Sequence, residues 1–452
     1  MFIITQELPP EAFSPWRDTS VEENLRKFEK MRTGQYEEGT AFLRMKGDLM
    51  SDNPAMWDTA FYRIKYAPHP HSGDTWCIYP TYDYTHCIVD SLENITHSLC
   101  TLEFETRQAA DGPYYWLLHK LGIYKPVTWE YGRCNITCNV LSKRRLNALV
   151  TQKHVNGWDD PRLLTLDGLR RRGYTPTAIN AFCEQIGVTR SGTVTTQMHV
   201  LENCIRREMD ETALRAFAVL RPLKVTITNF NEVSGGQDVI EVSVANHPKD
   251  TSKGQRSLAL ASVIYIDADD FRDEDSKDFF GLAPGKDVGL LGAGMVLTCT
   301  KKEKDGSLAG TIRPRGDAKP KGNLHWVSHG QAVVAEMRLY SNLFTVENPM
   351  APVAAPAGDK GAAAPAEQAA ATVSAAGEEE EEEEEEEGKP AWLGLLNPDS
   401  LKVEAKALIE PSLAKAASTP GAAFQLQRVG YFVVDLDSSS KRPVFNRTVA
   451  LK

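Results

Sequence analysis

Cys138-Asn-Val-Leu-Ser-Lys-Arg-Arg-Leu146 is the stretch on which the reading of this chain turns. It sets one hydroxyl, Ser142, beside three cations, Lys143, Arg144 and Arg145, in a polar, flexible segment just before a helical one. A mobile lysine in that setting can reach phosphates and stabilise the charge that develops on them during transfer. The same cluster elsewhere is an ordinary solvated face, so its surroundings must decide.

On both sides of this stretch the helical period dominates. Residues 114–123 and 142–218 read as largely helical, and Thr175-Pro176 marks a helix start with Thr175 as cap and Pro176 in the first turn. Ile179, Phe182 and Ile186 form its apolar face and Gly187 is placed to end it. Nearer the amino terminus, Ser20-Val-Glu-Glu23 fits a reciprocal capping box. Leu25 and Phe28 then mark one face of a short helix ending near Gly34. Between these helical parts, Phe61-Tyr-Arg-Ile-Lys-Tyr66 and Trp76-Cys-Ile-Tyr79 flank the turn residues His71-Ser-Gly-Asp74 and predict a hairpin.

After about Pro222 the pattern changes. Lys224–Thr228, Val239–Val244, Val263–Ile266, Val296–Thr300, Trp326-Val327 and Tyr431–Val434 are short β-branched and aromatic runs punctuated by Gly, Pro, Asn and Asp, which predicts antiparallel β-barrels. Residues 351–390 interrupt this region with Ala, Pro, Gly and glutamate, a composition that cannot bury enough apolar surface to fold.

Charge and cysteine usage exclude several classes. The 452 residues carry 51 Lys plus Arg against 61 Asp plus Glu, a net charge of −10. The unbroken run of ten glutamates from Glu378 to Glu387 supplies that whole imbalance, so the rest of the chain is neutral and its basic sites are local. No window approaches the ~18 apolar residues of a membrane helix, and the amino-terminal residues lack the basic region of a secretory signal. A cytoplasmic protein is expected. The eight cysteines form no CxxC pair or even ladder, which argues for reduced, mostly buried thiols and against a zinc ribbon. His69-Pro70-His71 reads as a surface turn.

In this context Val140-Leu-Ser-Lys-Arg144 resembles the second signature, the KMSKS loop, of class I aminoacyl-tRNA synthetases. Gly157-Trp-Asp-Asp-Pro-Arg162 and Gly168-Leu-Arg-Arg-Arg-Gly-Tyr174 resemble the segment that follows it in the glutamyl/glutaminyl subgroup. Tyr79–Cys87, Ile95–Phe104, Phe424–Phe432 and Pro443–Val449 are similar to the glutaminyl branch, and the similarity runs from about Ser14 to the carboxyl terminus apart from 351–390.

The resemblance implies a multidomain α/β plus β fold. Residues 1–81 would belong to the acceptor-stem-binding domain and 82–139 to the second half of the nucleotide-binding fold. Residues 140–218 would hold the KMSKS-like loop and helical subdomain, and 219–452 two antiparallel anticodon-binding barrels. The implied reaction activates glutamine with ATP and Mg²⁺ and transfers it to the 3′ end of tRNA(Gln). Lys143 and Ser142 would be catalytic. Tyr82, His86 and Cys100 would bind glutamine, since the glutamyl branch typically has an arginine where Cys100 stands, suited to a γ-carboxylate. Thr101, Arg133, Cys134, Leu141, Ser142 and Lys143 would contact ATP. Arg215, Gln425 and Arg428 would contact the anticodon, while Arg170 to Arg172 would touch backbone phosphate or pack internally. A complex with other synthetases is a further expectation.

The family's first signature, HIGH, does not occur in the 452 residues, nor does the acidic residue that binds the amino group of glutamine. This polypeptide alone is therefore expected not to form glutaminyl-adenylate, whether as part of a longer synthetase or as a non-catalytic tRNA-binding paralogue. Glutamyl specificity is the remaining alternative.

Overall fold

The computed structural model describes residues 14–190, 194–351 and 390–451, which divide into two compact units. The first holds the residues through Cys134 with 188–190 and Val194; the second holds the rest.

The first unit begins with α1 (Val21–Arg32), capped by the Ser20 hydroxyl, which accepts from the Glu23 amide at 3.3 Å. Only half of the expected capping box forms, because the Glu23 carboxylate turns to Arg26 instead, at 2.8 Å from its Nε. Leu25 is also 65% exposed, and Met31 takes the buried position. Strands β1 (Phe42–Arg44), β2 (Ala60–Ile64) and β3 (Ile78–Pro80) make an antiparallel sheet that contains the expected hairpin. The chain continues through α2 (Tyr82–Leu92), β4 (His97–Thr101), α3 (Glu105–Gln108), α4 (Pro113–Leu121) and β5 (Val127–Tyr131). β4 and β5 pair in parallel, from His97 beside Val127 to Thr101 beside Tyr131. Met45, Met56, Phe61, Cys87, Leu117 and Leu118 fill the core beneath α2 and α4.

Strands β6 (Cys134–Ile136) and β7 (Val194–Thr196) carry the chain from one unit to the other. The helices of the second unit are α5 (Lys143–Thr151), α6 (Leu166–Arg172), α7 (Pro176–Ile186) and α8 (Met198–Thr212). α7 follows its sequence signals: the Thr175 hydroxyl accepts from the Ala178 amide at 3.1 Å, Pro176 opens the first turn and Gly187 ends the last. Phe182 is buried with Leu201, Ile205 and Met209 of α8.

The helical stretch stops earlier than its period implied. Residues 214–219 form two very short strands, β8 (Leu214–Ala216) and β9 (Ala218–Val219); pieces of two or three residues carry no period to read. Then follow β10 (Pro222–Ile227), α9 (Phe230–Ser234), β11 (Val239–Ala245), β12 (Gln255–Ala261), β13 (Val263–Asp267), β14 (Asp287–Leu290), β15 (Met295–Lys302), β16 (Leu308–Pro314), β17 (Asn323–Leu324) and β18 (Val327–Ser328). The last segment holds β19 (Val333–Tyr340), β20 (Leu401–Ile409), α10 (Pro411–Ala416), β21 (Ala423–Leu426), β22 (Gly430–Val434) and β23 (Val444–Val449).

These strands make two seven-stranded sheets, in the orders β17-β14-β15-β16-β10-β13-β18 and β8-β21-β22-β23-β19-β20-β9. Antiparallel pairs dominate, and each sheet also contains parallel ones, such as β10 with β16 and β19 with β23. In each sheet the two outermost strands are sequence neighbours. Only Phe217 separates β8 from β9, and only His325-Trp326 separates β17 from β18, so each sheet curls round until its edges nearly meet. The two seams touch, with the Phe217 and Trp326 rings 6.2 Å apart and both residues buried. Val225, Ile264, Leu297 and Trp326 lie in one barrel core, and Met337, Ile409, Phe432 and Phe445 in the other. The expected disordered insertion at 351–390 falls almost wholly outside the described residues.

Cys87, Cys138, Cys204 and Cys299 are buried, while Cys134 and Cys183 are exposed. His69 accepts from the amides of His71 and Ser72 at 3.1 and 3.3 Å, the turn expected of it.

Candidate functional site

In the first unit the amino-acid candidates gather at the start of α2. Tyr82 and His86 lie one turn apart on the same face, with ring centroids 4.9 Å apart. Asp90, one turn further on, is the hub: it accepts from the Ser98 hydroxyl at 2.6 Å and from the Tyr114 hydroxyl at 2.9 Å. His86 Nε2 lies 3.1 Å from Asp90 and 3.3 Å from Ser98 Oγ. Ser98 spends its single proton on Asp90, so both neighbours of Nε2 are acceptors and Nε2 carries the hydrogen. Burial lowers the pKa of His86 against the opposing pull of Asp90. The imidazole is thus neutral with Nδ1 as an acceptor, held in that tautomer by Asp90. Cys100 Sγ sits 3.8 Å from the Tyr82 hydroxyl and has no ion-pair partner among the described residues. Partial burial and the adjacent thiol raise Tyr82, which stays a hydroxyl. Arg107 also lines this pocket, but Asp83 matches its charge at 2.6 Å. The free space is about 10 Å³, the room of one water, so a larger occupant must move these side chains. Ser98 stands in the Ile95–Phe104 stretch without being singled out there, and Asp90 lies in none; the spacing of three polar residues one turn apart (82, 86 and 90) was the available signal for Asp90.

The nucleotide candidates fall in both units. In the first, Thr101 is half-buried ahead of a short turn at Leu102–Phe104, Arg133 pairs with Glu103, and Cys134 is exposed. In the second, Leu141 is exposed and Ser142 is the N-cap residue of α5, although its hydroxyl makes no capping bond. Lys143, Arg144 and Arg145 are not in a flexible loop but form the first turn of α5, which contains no acidic residue. Cations there oppose the helix dipole, at a cost of roughly 0.3–1 kcal/mol each. Such a violation of local preference is expected where a site needs it. Backbone amides and three cations at one helix end give it a local positive charge.

The anticodon candidates also meet. Arg215 on β8 and Gln425 on β21 are direct partners in a parallel pair, and Arg428 lies in the turn after β21. All three line one cavity of about 510 Å³, with Asp210, Asn323 and Gln427. Arg215 forms its wall: it is buried and donates to Ala213 O at 2.9 Å and to Asp210 Oδ1 at 2.8 Å. Arg428 is a third exposed and grips Asp270 with both terminal nitrogens at 2.6 Å.

Of the three arginines after Gly168, two pack internally. Arg171 donates to Asp435 through Nε and Nη2 at 3.0 and 3.1 Å, and to Asp159 and Asp437. Arg172 is buried and donates to Thr448 O at 3.2 Å; Arg170 alone faces solvent. Burial would raise the Asp435 carboxyl, but hydrogen bonds from Arg171, the Asp437 amide and Asn446 hold it down at about 2.

The profile of the catalytic domain of class I tRNA synthetases (E and Q) matches residues 5–211. Two profiles of that family's anticodon-binding domains match 213–313 and, in two pieces, 323–379 and 377–435. The chain is 48% identical to a glutamine–tRNA ligase of Lupinus luteus over 97% of its own length and 51% of the relative's. It is 46% identical to a cytoplasmic glutamine–tRNA ligase of Arabidopsis thaliana, with the same two coverages. With a glutamine–tRNA ligase of Escherichia coli O157:H7 the identity is 43%, over 97% of this chain and 73% of the relative. The chain belongs to the E and Q family of class I tRNA synthetases. It spans about half the length of the plant relatives it matches.

Proposed function

We propose that this chain works in glutamine-specific tRNA charging: ATP-dependent activation of glutamine to the adenylate, followed by transfer to the 3′ end of tRNA(Gln). The observation that carries the choice of amino acid is the pocket at the start of α2. A side-chain amide needs both a donor and an acceptor, and the Tyr82 hydroxyl and neutral His86 supply them. A glutamate carboxylate needs a cation, and none pairs at Cys100 among the described residues. The names of the plant and bacterial relatives support the same choice.

In this reading Thr101, Arg133, Cys134, Leu141 and Ser142 hold ATP, which arrives with Mg²⁺. The glutamine carboxylate attacks the α-phosphorus and pyrophosphate leaves. Lys143, with the amides at the start of α5, stabilises the charge on the transferring and leaving phosphates. Positioning carries the rate and no protein nucleophile is required. Residues 1–81 serve the acceptor stem, and the cavity at Arg215, Gln425 and Arg428 takes unstacked anticodon bases. A cytoplasmic location belongs to the same proposal, supported by the Arabidopsis relative; among the described residues no helix is long and apolar enough to cross a membrane.

A stable glutaminyl-adenylate analogue should bind this chain roughly tenfold more tightly than its glutamyl counterpart in equilibrium titration. Equal affinities, or preference for the glutamyl form, would overturn the assignment.

A further inference from the structure

Arg428 occupies a position made for another residue. The amide of Val429 donates to Leu426 O at 3.0 Å, closing a turn whose central residues are Gln427 and Arg428. Arg428 is its third residue and has φ of 69°, the left-handed region that glycine fills without cost. A long side chain kept in such a place marks a role beyond the turn itself.

Its partner is rigidly placed. Asp270 ends the short turn Ala268–Asp270 after β13, and that turn is held at its start by Asp267, which also accepts from the Leu220 amide at 3.1 Å. The Asp270 carbonyl accepts from the Leu282 amide at 2.7 Å, and the residue is buried. His325 Nδ1 lies 4.0 Å from Asp270 Oδ2, both ring nitrogens lack a hydrogen-bond partner among the described residues, and burial disfavours the charged form. Among the described residues Arg428 is therefore the permanent cation that meets Asp270.

The donor count then matters. A guanidinium has five N–H groups, and an end-on carboxylate consumes one from each terminal nitrogen. Nε–H and the outer Nη–H beside it remain as a second parallel fork, and Arg428 makes no other hydrogen bond among the described residues. We infer that Asp270 is a positioning residue: it clamps one edge of Arg428 so that the free fork faces the cavity and reads two adjacent acceptors on the edge of a single RNA base. The inference rests on the reading of that cavity as the anticodon site.

The test measures affinity of the chain, at fixed salt, for tRNA(Gln) and for transcripts with each anticodon base changed in turn. Asp270→Asn loosens the clamp without changing shape, and Asp270→Glu keeps the charge but displaces the guanidinium. Both variants should lose roughly tenfold of discrimination at one anticodon position while keeping the same dependence of binding on salt concentration. A merely structural role predicts that Asp270→Glu behaves as wild type, and that Asp270→Asn weakens all transcripts alike; either result overturns the inference. If the wild-type chain itself ignores anticodon changes, the anticodon reading falls and the inference falls with it. Discrimination intact in both variants removes the inference alone.

Discussion

Replacing Asp435 by asparagine keeps the shape of the side chain and deletes the charge on which the helical subdomain and the last barrel converge. In the native protein the fully buried carboxylate accepts two bonds from Arg171, one from Arg338 at 3.2 Å, one from Asn446 and one from the Asp437 amide at 2.8 Å. Its carboxyl sits at about 2 against an ordinary 3.8, a difference equivalent to about 2 kcal/mol of preference for the charged form in the folded state. Asparagine also leaves Arg171, 12% exposed, and Arg338, 14% exposed, short of a partner. Loss of one partner from a buried pair costs roughly 3–5 kcal/mol, and here Asp437, half-exposed, and Asp159 soften that loss. A destabilisation of about 2–4 kcal/mol follows, read as a lowered urea midpoint at pH 7.

The pH dependence separates this cause from a packing defect. Because the folded-state value lies below the unfolded one, the stabilisation is complete above about pH 4 and disappears as pH falls through about 2. The gap between wild type and Asp435→Asn should therefore narrow across that interval. A gap below about 0.5 kcal/mol at neutral pH, or one that does not narrow in acid, would refute the reasoning.

Three other substitutions probe the structure more simply. Gly173→Ala places a methyl 2.5 Å from Thr448 Oγ1 at φ of 97°, and should cost about 2 kcal/mol or more in denaturant titration. Thr175→Ala removes the cap of α7 and the hydroxyl's bond to Glu208 at 2.5 Å, and should lower stability by about 1 kcal/mol in the same assay. Lys143→Ala should raise stability by a few tenths of a kcal/mol, because it removes a cation from a helix start, while pyrophosphate binding by calorimetry weakens; unchanged pyrophosphate affinity would deny Lys143 its phosphate role.

Much of the architecture could be read in advance where a local rule governs a whole element. The helix from Pro176 to Ile186 has its cap, opening proline and terminal glycine written in sequence, and the β-branched runs after Pro222 became strands. Leu25 misled because apolar spacing marks a face without saying what lies against it. The strands at 214–219 were invisible because their existence depends on partners far along the chain, Gln425 opposite Arg215 and Leu408 opposite Val219. The sites divide in the same way. Tyr82, His86, Gln425 and Arg428 stand in motifs, whereas Asp90, Asp270 and Asp435 are single carboxylates that only folding delivers to their partners.

The seams of the two barrels set where this chain can change in length. At Phe217 and at His325-Trp326 a strand leaves one edge of a sheet and rejoins the other within one or two residues, so a single inserted residue would turn the following side chains from core to solvent. Between β19 and β20 the constraint is opposite. The Val333–Tyr340 and Leu401–Ile409 ladder, extended by the Phe344–Leu396 bridge, already holds both ends together. The cost of joining two ends already held together rises only slowly with the number of residues between them. A change in residue number between Ala351 and Pro390 therefore leaves the register of both barrels intact, whereas one at either seam shifts every residue that follows.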